Sequence, residues 1–434
     1  MGASFPAADG CLGGVLTVRP ILLYLLPLLV SALAHAQEEE AVVSEAPEDG
    51  FGMGALPAVN YNSDEGFGYG LIGTGYWYRD GLRPYKAALT ARYFRTTKKV
   101  NAHMLRLDML DVADLPLRVT ARADFYSALA QNFCGYVGDG HCGDDSDAIA
   151  EAAADGRGLV GEERDDFLRR YYLMRYTETA LNIQTRTRLK DLPHKVEILA
   201  GYRGSYYIPG VFGDDTPWDG SLYQSSYYED GETGFASVLQ AGMVFDNRDN
   251  EPAPNSGYWS EFSLRGASPF WGSAWSYAGV NLTHRQYVTV IPDWLVSATR
   301  LVGDATWGDM PTQDIVRVGG LQDFSAIGGQ YGGRGMRSWR LTGQVKALFQ
   351  EEFRLTFARF TPGTQRINLG LVGFFDAGWS ARSFDQLDLS ESAIGTGSGL
   401  RVTWNENFIV RIDAGFSPIE DWSNKLYINL DHIF

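Results

Sequence analysis

"KLYINLDHIF", residues 425–434, changes character at every second position. Leu426, Ile428, Leu430 and Phe434 fall on one face, with His432 between the last two. Tyr427, Asn429, Asp431 and Ile433 occupy the other. A period of two is the mark of a strand whose faces meet different surroundings. The stretch before it, "NFIVRIDAGF" at 407–416, repeats the pattern, with Phe408, Val410, Ile412, Ala414 and Phe416 opposed to Asn407, Arg411 and Asp413. "SGLRVTW" at 398–404 does so again, with Leu400, Val402 and Trp404 opposed to Arg401 and Thr403. Strands of a soluble sandwich also alternate, but they are short and turn their apolar faces inward. These strands run to about ten residues or more, and their polar faces carry the Arg, Asp, Asn and Gln that a watery lumen requires. Aromatic residues gather near the ends of the apolar rows, where a membrane interface would lie. The pattern predicts an all-β fold, a sixteen-stranded antiparallel transmembrane β-barrel of the outer membrane.

Working back along the chain, sixteen such segments run from 54–61 and 66–79 near the start to 342–358, 366–379, 394–404, 407–417 and 423–434 at the end. The three longest connections, 126–165, 207–232 and 305–341, all follow odd-numbered strands. Even-to-odd links are mostly tight turns, such as VADLP at 112–116, IPD at 291–293 and TPGTQ at 361–365. Long outer loops and short periplasmic turns give this asymmetry in bacterial barrels. Bulk composition agrees, because aromatics make up 13% of the 434 residues and glycines number 50, without a helical repeat. The net charge of −16 excludes a nucleic-acid binder, which needs clustered Lys and Arg.

Residues Ile21–Ala34 form an apolar run behind Arg19, and Ala34-His35-Ala36 closes it. Such a run is too short for a bilayer core, which takes roughly 20 helical residues. It reads as a secretory signal peptide over 1–36. Residues 37–53, acidic and Pro-containing, read as a disordered segment, and 54–434 as the barrel. Cys11 lies in the leader, leaving Cys134 and Cys142, for which export makes a disulfide the expected state.

"GGRGMRSW", 332–339, lies in the last of the long connections and has no period of its own. In the following strand Val345, Ala347, Phe349, Phe353, Leu355 and Phe357 face outward. Gln344, Lys346, Gln350, Glu352, Arg354 and Thr356 therefore face inward, and Glu351 breaks the outward row. In "INLGLVGFFDAGW", 367–379, Phe375 and Trp379 face outward and Asp376 inward. Two acids thus enter the lumen from neighbouring strands. A guanidinium on an infolding loop would bridge them through charge-assisted hydrogen bonds, and flanking glycines would let its backbone approach the wall.

These residues resemble the BamA/TamA-type bacterial surface-antigen superfamily of outer-membrane assembly and translocation barrels. The resemblance implies sixteen strands and a sixth outer loop that folds into the lumen. That loop carries a (V/I)-R-G-(F/Y) motif, matched by Gly333-Arg334-Gly335-Met336, whose arginine contacts Glu352 and Asp376. FFDAG at 374–378 resembles the family's F-x-D-x-G, and "FDNRDNEPAPNSG" at 245–257 its D-x-R-D…P-x-x-G turn. Phe434 with its row resembles the signal by which such barrels are recognised for insertion. Gly333 and Met336 depart from the motif's apolar and aromatic positions. No POTRA segment precedes the barrel in this sequence, which therefore reads as a POTRA-less member.

The resemblance implies a role in inserting or translocating proteins, or lipids, at the outer membrane. The working part would be a lateral seam between a short first strand containing Pro57 and the last strand with Leu426, Ile428, Leu430 and Phe434. Expected partners are outer-membrane lipid and client outer-membrane proteins or a separate periplasmic partner. A passive porin-like channel is the competing reading, because Arg401, Arg411 and Asp413 suit any water-filled lumen. An enzyme is not expected, since none of the mature histidines has an inward companion for nucleophilic catalysis. Neither a cofactor nor a metal is expected: Asp139, Asp144, Asp145 and Asp147 match no calcium loop, and acidic outer loops are usually solvated.

Overall fold

Sixteen strands close on themselves in an antiparallel barrel. The computed structural model describes residues 49–63, 65–79, 85–135, 146–189, 195–211, 219–226, 233–251, 253–321, 324–325, 327–363, 366–390, 392–404, 408–430 and 432–434. The strands are β1 Gly50–Asn62, β2 Gly66–Tyr78, β3 Ala87–Thr96, β4 Asn101–Met109, β5 Leu117–Asn132 and β6 Leu173–Arg188. There follow β7 Val196–Ile208, β8 Gly234–Asp246, β9 Gly257–Ala267, β10 Ser276–Ile291 and β11 Leu295–Asp309. The last five are β12 Val345–Phe360, β13 Ile367–Ala381, β14 Ala393–Trp404, β15 Phe408–Phe416 and β16 Lys425–Leu430. Each pairs with its sequence neighbours, and β1 meets β16.

Alternation sorts the side chains as the period requires. On β12, Phe353 and Phe357 stand exposed on the outer wall while Gln350, Glu352 and Arg354 are buried inside. Leu264, Leu282, Leu301, Phe375 and Leu400 continue the exposed apolar exterior around the barrel. Such a band is unstable in water and suits hydrocarbon. Glu351, out of place in the outward row, accepts hydrogen bonds from Ser297 Oγ at 2.6 Å and Thr299 Oγ1 at 2.5 Å on β11. The bulge of β12 lies elsewhere, between Thr356 and Ala358.

Three features differ from the sequence reading. β1 begins at Gly50, inside the stretch read as a disordered leader to the barrel, because β2 offers it a partner along its whole length, from Gly50↔Tyr78 to Asn62↔Gly66. The long connection between β5 and β6 contains two helices, α1 Ser146–Gly156 and α2 Gly161–Arg170. Their Ala150, Ala154 and Phe167 pack with Phe133, Met174 and Tyr223 into an apolar cluster. Asp147 opens α1, where a carboxylate suits a helix N-terminus. Cys134 is buried and disulfide-bonded. Cys142, Asp139, Asp144 and Asp145 lie outside the described residues.

The third difference is at the C-terminus. β16 ends at Leu430, and Phe434 does not join a lipid-facing row. Ile433 and Phe434 are buried in the lumen against Tyr287 and Ala298. Inside, Arg354 Nη2 donates to the Phe434 main-chain oxygen at 3.1 Å, and the guanidinium carbons of Arg300 and Arg354 lie 5.1 and 5.4 Å from its ring centroid.

The barrel closes weakly. β16 shares six register positions with β15 but only two with β1, Tyr61↔Ile428 and Asn62↔Tyr427. Gly50 to Asn60, Pro57 among them, have no partner on that side among the described residues.

Candidate functional site

The connection between β11 and β12, residues 310–344, folds into the lumen and brings Arg334 to zero exposure. Its guanidinium grips Asp376 at two points, Nε to Oδ2 at 3.0 Å and Nη2 to Oδ1 at 2.9 Å, while its backbone N–H donates to Oδ2 at 2.8 Å. Nη1 donates to Glu352 Oε1 at 2.6 Å. Below the guanidinium lies the Phe374 ring, its centroid 3.5 Å from Cζ, which adds a cation–π contact in a desolvated site. Glu352 comes from β12 and Asp376 from β13, so alternation on two adjacent strands places both acids.

A third acid, unassigned to this site by sequence reasoning, completes it. Asp413 on β15 accepts from Arg334 Nη1 at 3.4 Å and from Arg401 Nη1 at 2.5 Å. Arg401 also reaches Glu352 at 3.4 Å, and Arg354 Nε donates to Glu352 Oε2 at 2.8 Å. The inward row of "NFIVRIDAGF" was the available signal, but a period gives the face and not the partner. The arrangement is a buried network of alternating charges that holds a loop; it presents no nucleophile beside a base.

Gly335 and Met336 explain how the loop reaches the wall. Gly335 has φ of +94°, and a Cβ there would come within 2.5 Å of the Phe416 backbone. Met336 is fully buried with Val302, Val318, Ile327 and Leu348, so a flexible thioether fills the space beside the arginine. The loop is also tied to the last strand. Gly335 N–H donates to Tyr427 Oη at 3.2 Å, and Asn429 Nδ2 donates to Gln330 Oε1 at 2.9 Å. Of the seam residues read from sequence, Leu426, Ile428 and Leu430 lie half-buried on β16 and Pro57 exposed on β1, whereas Phe434 has left the seam.

Two further anchors escaped the sequence reading: Asp314, in a loop with no period to betray it, and Asp304, on β11, whose partner the period does not give. Asp314 accepts from Arg203 Nη1 at 2.9 Å, Tyr207 Oη at 2.7 Å and Tyr277 Oη at 2.6 Å. Burial pushes its carboxyl up, but Arg203, Arg317 and the two phenols outweigh that and hold it at about 2. Asp304, bound by Arg265 through two 2.8 Å hydrogen bonds, accepts the loop's Gly319 N–H at 3.0 Å. At the other end of the barrel, the 245–257 motif forms a self-closed turn. Arg248 grips Asp246 at 3.0 and 2.8 Å, and Asp249 Oδ1 accepts the backbone N–H groups of Asn250, Asn255 and Ser256.

Comparison with known proteins agrees with this geometry. Residues 194–422, more than half of the chain, match the model of the Omp85 superfamily domain. Among solved structures, BamA from Haemophilus ducreyi lacking POTRA domains 1–3 superposes with a TM-score of 0.53 at 12% identity, over 94% of this chain and 78% of that one. CdiB from Escherichia coli superposes with a TM-score of 0.54 at 11% identity, over 86% of this chain and 62% of that one. Comparison with curated protein sequences gives no match. With a sixteen-stranded barrel, an infolded loop and the matched domain in agreement, the chain belongs to the Omp85 superfamily.

Proposed function

We propose that this protein resides in the bacterial outer membrane and assists the insertion or translocation of proteins, or lipids, with the β1–β16 seam as its working element. The observation that carries the reading is the two-position register between those strands, against a full-length ladder between β1 and β2. Unpaired backbone N–H and C=O groups cost several kcal/mol each in hydrocarbon. A long unpaired edge on β1 therefore favours any incoming strand that supplies hydrogen bonds. The loop's grip on Tyr427 and Asn429 holds β16 from within, so β16 keeps its place if it parts from β1.

The test is a disulfide across the seam, Tyr61→Cys with Ile428→Cys, at positions whose Cα atoms are partners. Reconstituted insertion of a model barrel client into liposomes should stop when the pair is oxidised and resume on reduction. Undiminished insertion with the seam covalently shut would sink the proposal. The passive-pore reading is disfavoured by the loop and C-terminal residues that occupy the lumen. Single-channel recordings should show small, flickering openings and not large steady ones.

A further inference from the structure

A second lumenal feature lies apart from the Arg334 network. A cavity of about 360 Å³ reaches from the loop residues Val318–Leu321 to Arg248 and Glu251 in the turn between β8 and β9. That turn is one of the short even-to-odd links, which the sequence pattern puts on the periplasmic side. The cavity's β4–β6 wall is lined by Arg106, Arg118, Arg122 and Arg186. They stand as two directly opposed pairs, Arg106↔Arg122 across β4 and β5 and Arg118↔Arg186 across β5 and β6. Like charges directly opposite destabilise a sheet.

Three of the four are neutralised by acids set behind the lining. Asp108 takes Arg118 at 2.6 Å, Asp124 takes Arg122 at 2.7 Å and Glu197 takes Arg186 at 3.1 Å, yet none of these three acids lines the cavity. Arg106 has no ion pair or hydrogen bond among the described residues. Of the two acids that do line the cavity, Asp314 is already committed to Arg203 and two tyrosines, and Glu251, on the turn, faces Arg118 and Arg248. The surface offered to a ligand is therefore mostly guanidinium, with the partners of Arg118, Arg122 and Arg186 set back from the lining.

We propose that this cavity binds a phosphate-bearing anion, one phosphate between each opposed arginine pair. A planar guanidinium fork matches phosphate oxygens bidentately, and an anion between opposed arginines turns their repulsion into attraction. Arg118 and Arg122 are four residues apart on β5, ~13 Å at the usual rise, so a ligand that satisfies both pairs carries more than one phosphate. The site does not depend on the seam, so binding and seam opening fail or succeed separately.

Calorimetry on the full barrel in detergent tests this, with inorganic tripolyphosphate and a short-chain cardiolipin as probes and a short-chain phosphatidylcholine as the zwitterionic control. The wild type should bind one or both phosphate probes, and whichever binds identifies a free polyphosphate or a lipid headgroup as the source. Arg106→Gln with Arg122→Gln should weaken binding at least tenfold while the folded band on gels is retained. Arg106→Gln alone, which orphans no acid, should show a smaller loss and covers failure of the double variant to fold. Absence of binding to the wild type at millimolar probe, or equal binding by the variants, would overturn the proposal.

Discussion

Arg334 is held by geometry that only a guanidinium supplies. Three acids converge on it from β12, β13 and β15, and all four groups have zero side-chain exposure. Arg334→Ala would leave those acids buried with one cation fewer, a change that costs about 3–5 kcal/mol when a buried pair is broken. The expected outcome is a lower urea midpoint and loss of the compact gel band at a lower temperature. Arg334→Lys should recover only part of this, because a point charge cannot bridge Asp376 and Glu352 in one plane. Asp314 makes a pH prediction. Its carboxyl is depressed to about 2 from an ordinary 3.8, so its stabilising effect is full above about pH 4 and fades as pH falls towards 2. Acid unfolding of the wild type should be steeper over that window than that of Asp314→Asn. Glu352 and Asp376 were legible as inward residues because strands alternate. Asp314 was not, because its turn, Thr312–Ile315, sits in a loop whose path the sequence does not state.

At the scale of elements, most strands were legible to within a few residues, and the failures have physical causes. The start of β1 was hidden because Gly50, Gly52 and Gly54 mask alternation, and only pairing with β2 reveals it. α1 and α2 were hidden because they are short and their apolar faces are completed by Phe133, Met174 and Tyr223 from elsewhere in the chain. The C-terminal residues were misplaced because alternation continues past Leu430 in the letters, while Arg300 and Arg354 hold the Phe434 ring and main-chain oxygen inside the lumen. Arg300, which donates to Gln350 at 2.7 Å and to the Ile433 carbonyl at 3.4 Å, has no acid partner among the described residues. Removing Ile433 and Phe434 would deprive both arginines of those acceptors. Unfolding free energy should fall by about 1–3 kcal/mol, the cost of leaving buried donors unmet. Planar-bilayer recordings should then show more frequent openings, and an unchanged record would refute a closing role for these residues.

For the whole molecule, the exterior and the lumen obey opposite rules. Phe262 stands exposed at the middle of β9, and Phe262→Arg should cost about 2–4 kcal/mol in a bilayer, as a cation at the midplane of a barrel's lipid face does. Folding yield into liposomes measures it, and a loss near zero would place that wall against water. What the sequence by itself determined is the barrel: a period of two, sustained over strands long enough for a membrane, leaves the backbone no other way to satisfy its hydrogen bonds in lipid. It also determined which side chains of the regular strands, Glu352 and Asp376 among them, enter the lumen. Only the tertiary structure decided which of them meet. Asp413 joins Arg334, Asp314 anchors the loop, arginines oppose arginines on β4–β6, and the last residues turn inward. Each of these depends on strand register and loop path, which arise from contacts between residues far apart in the chain and leave no local period to read.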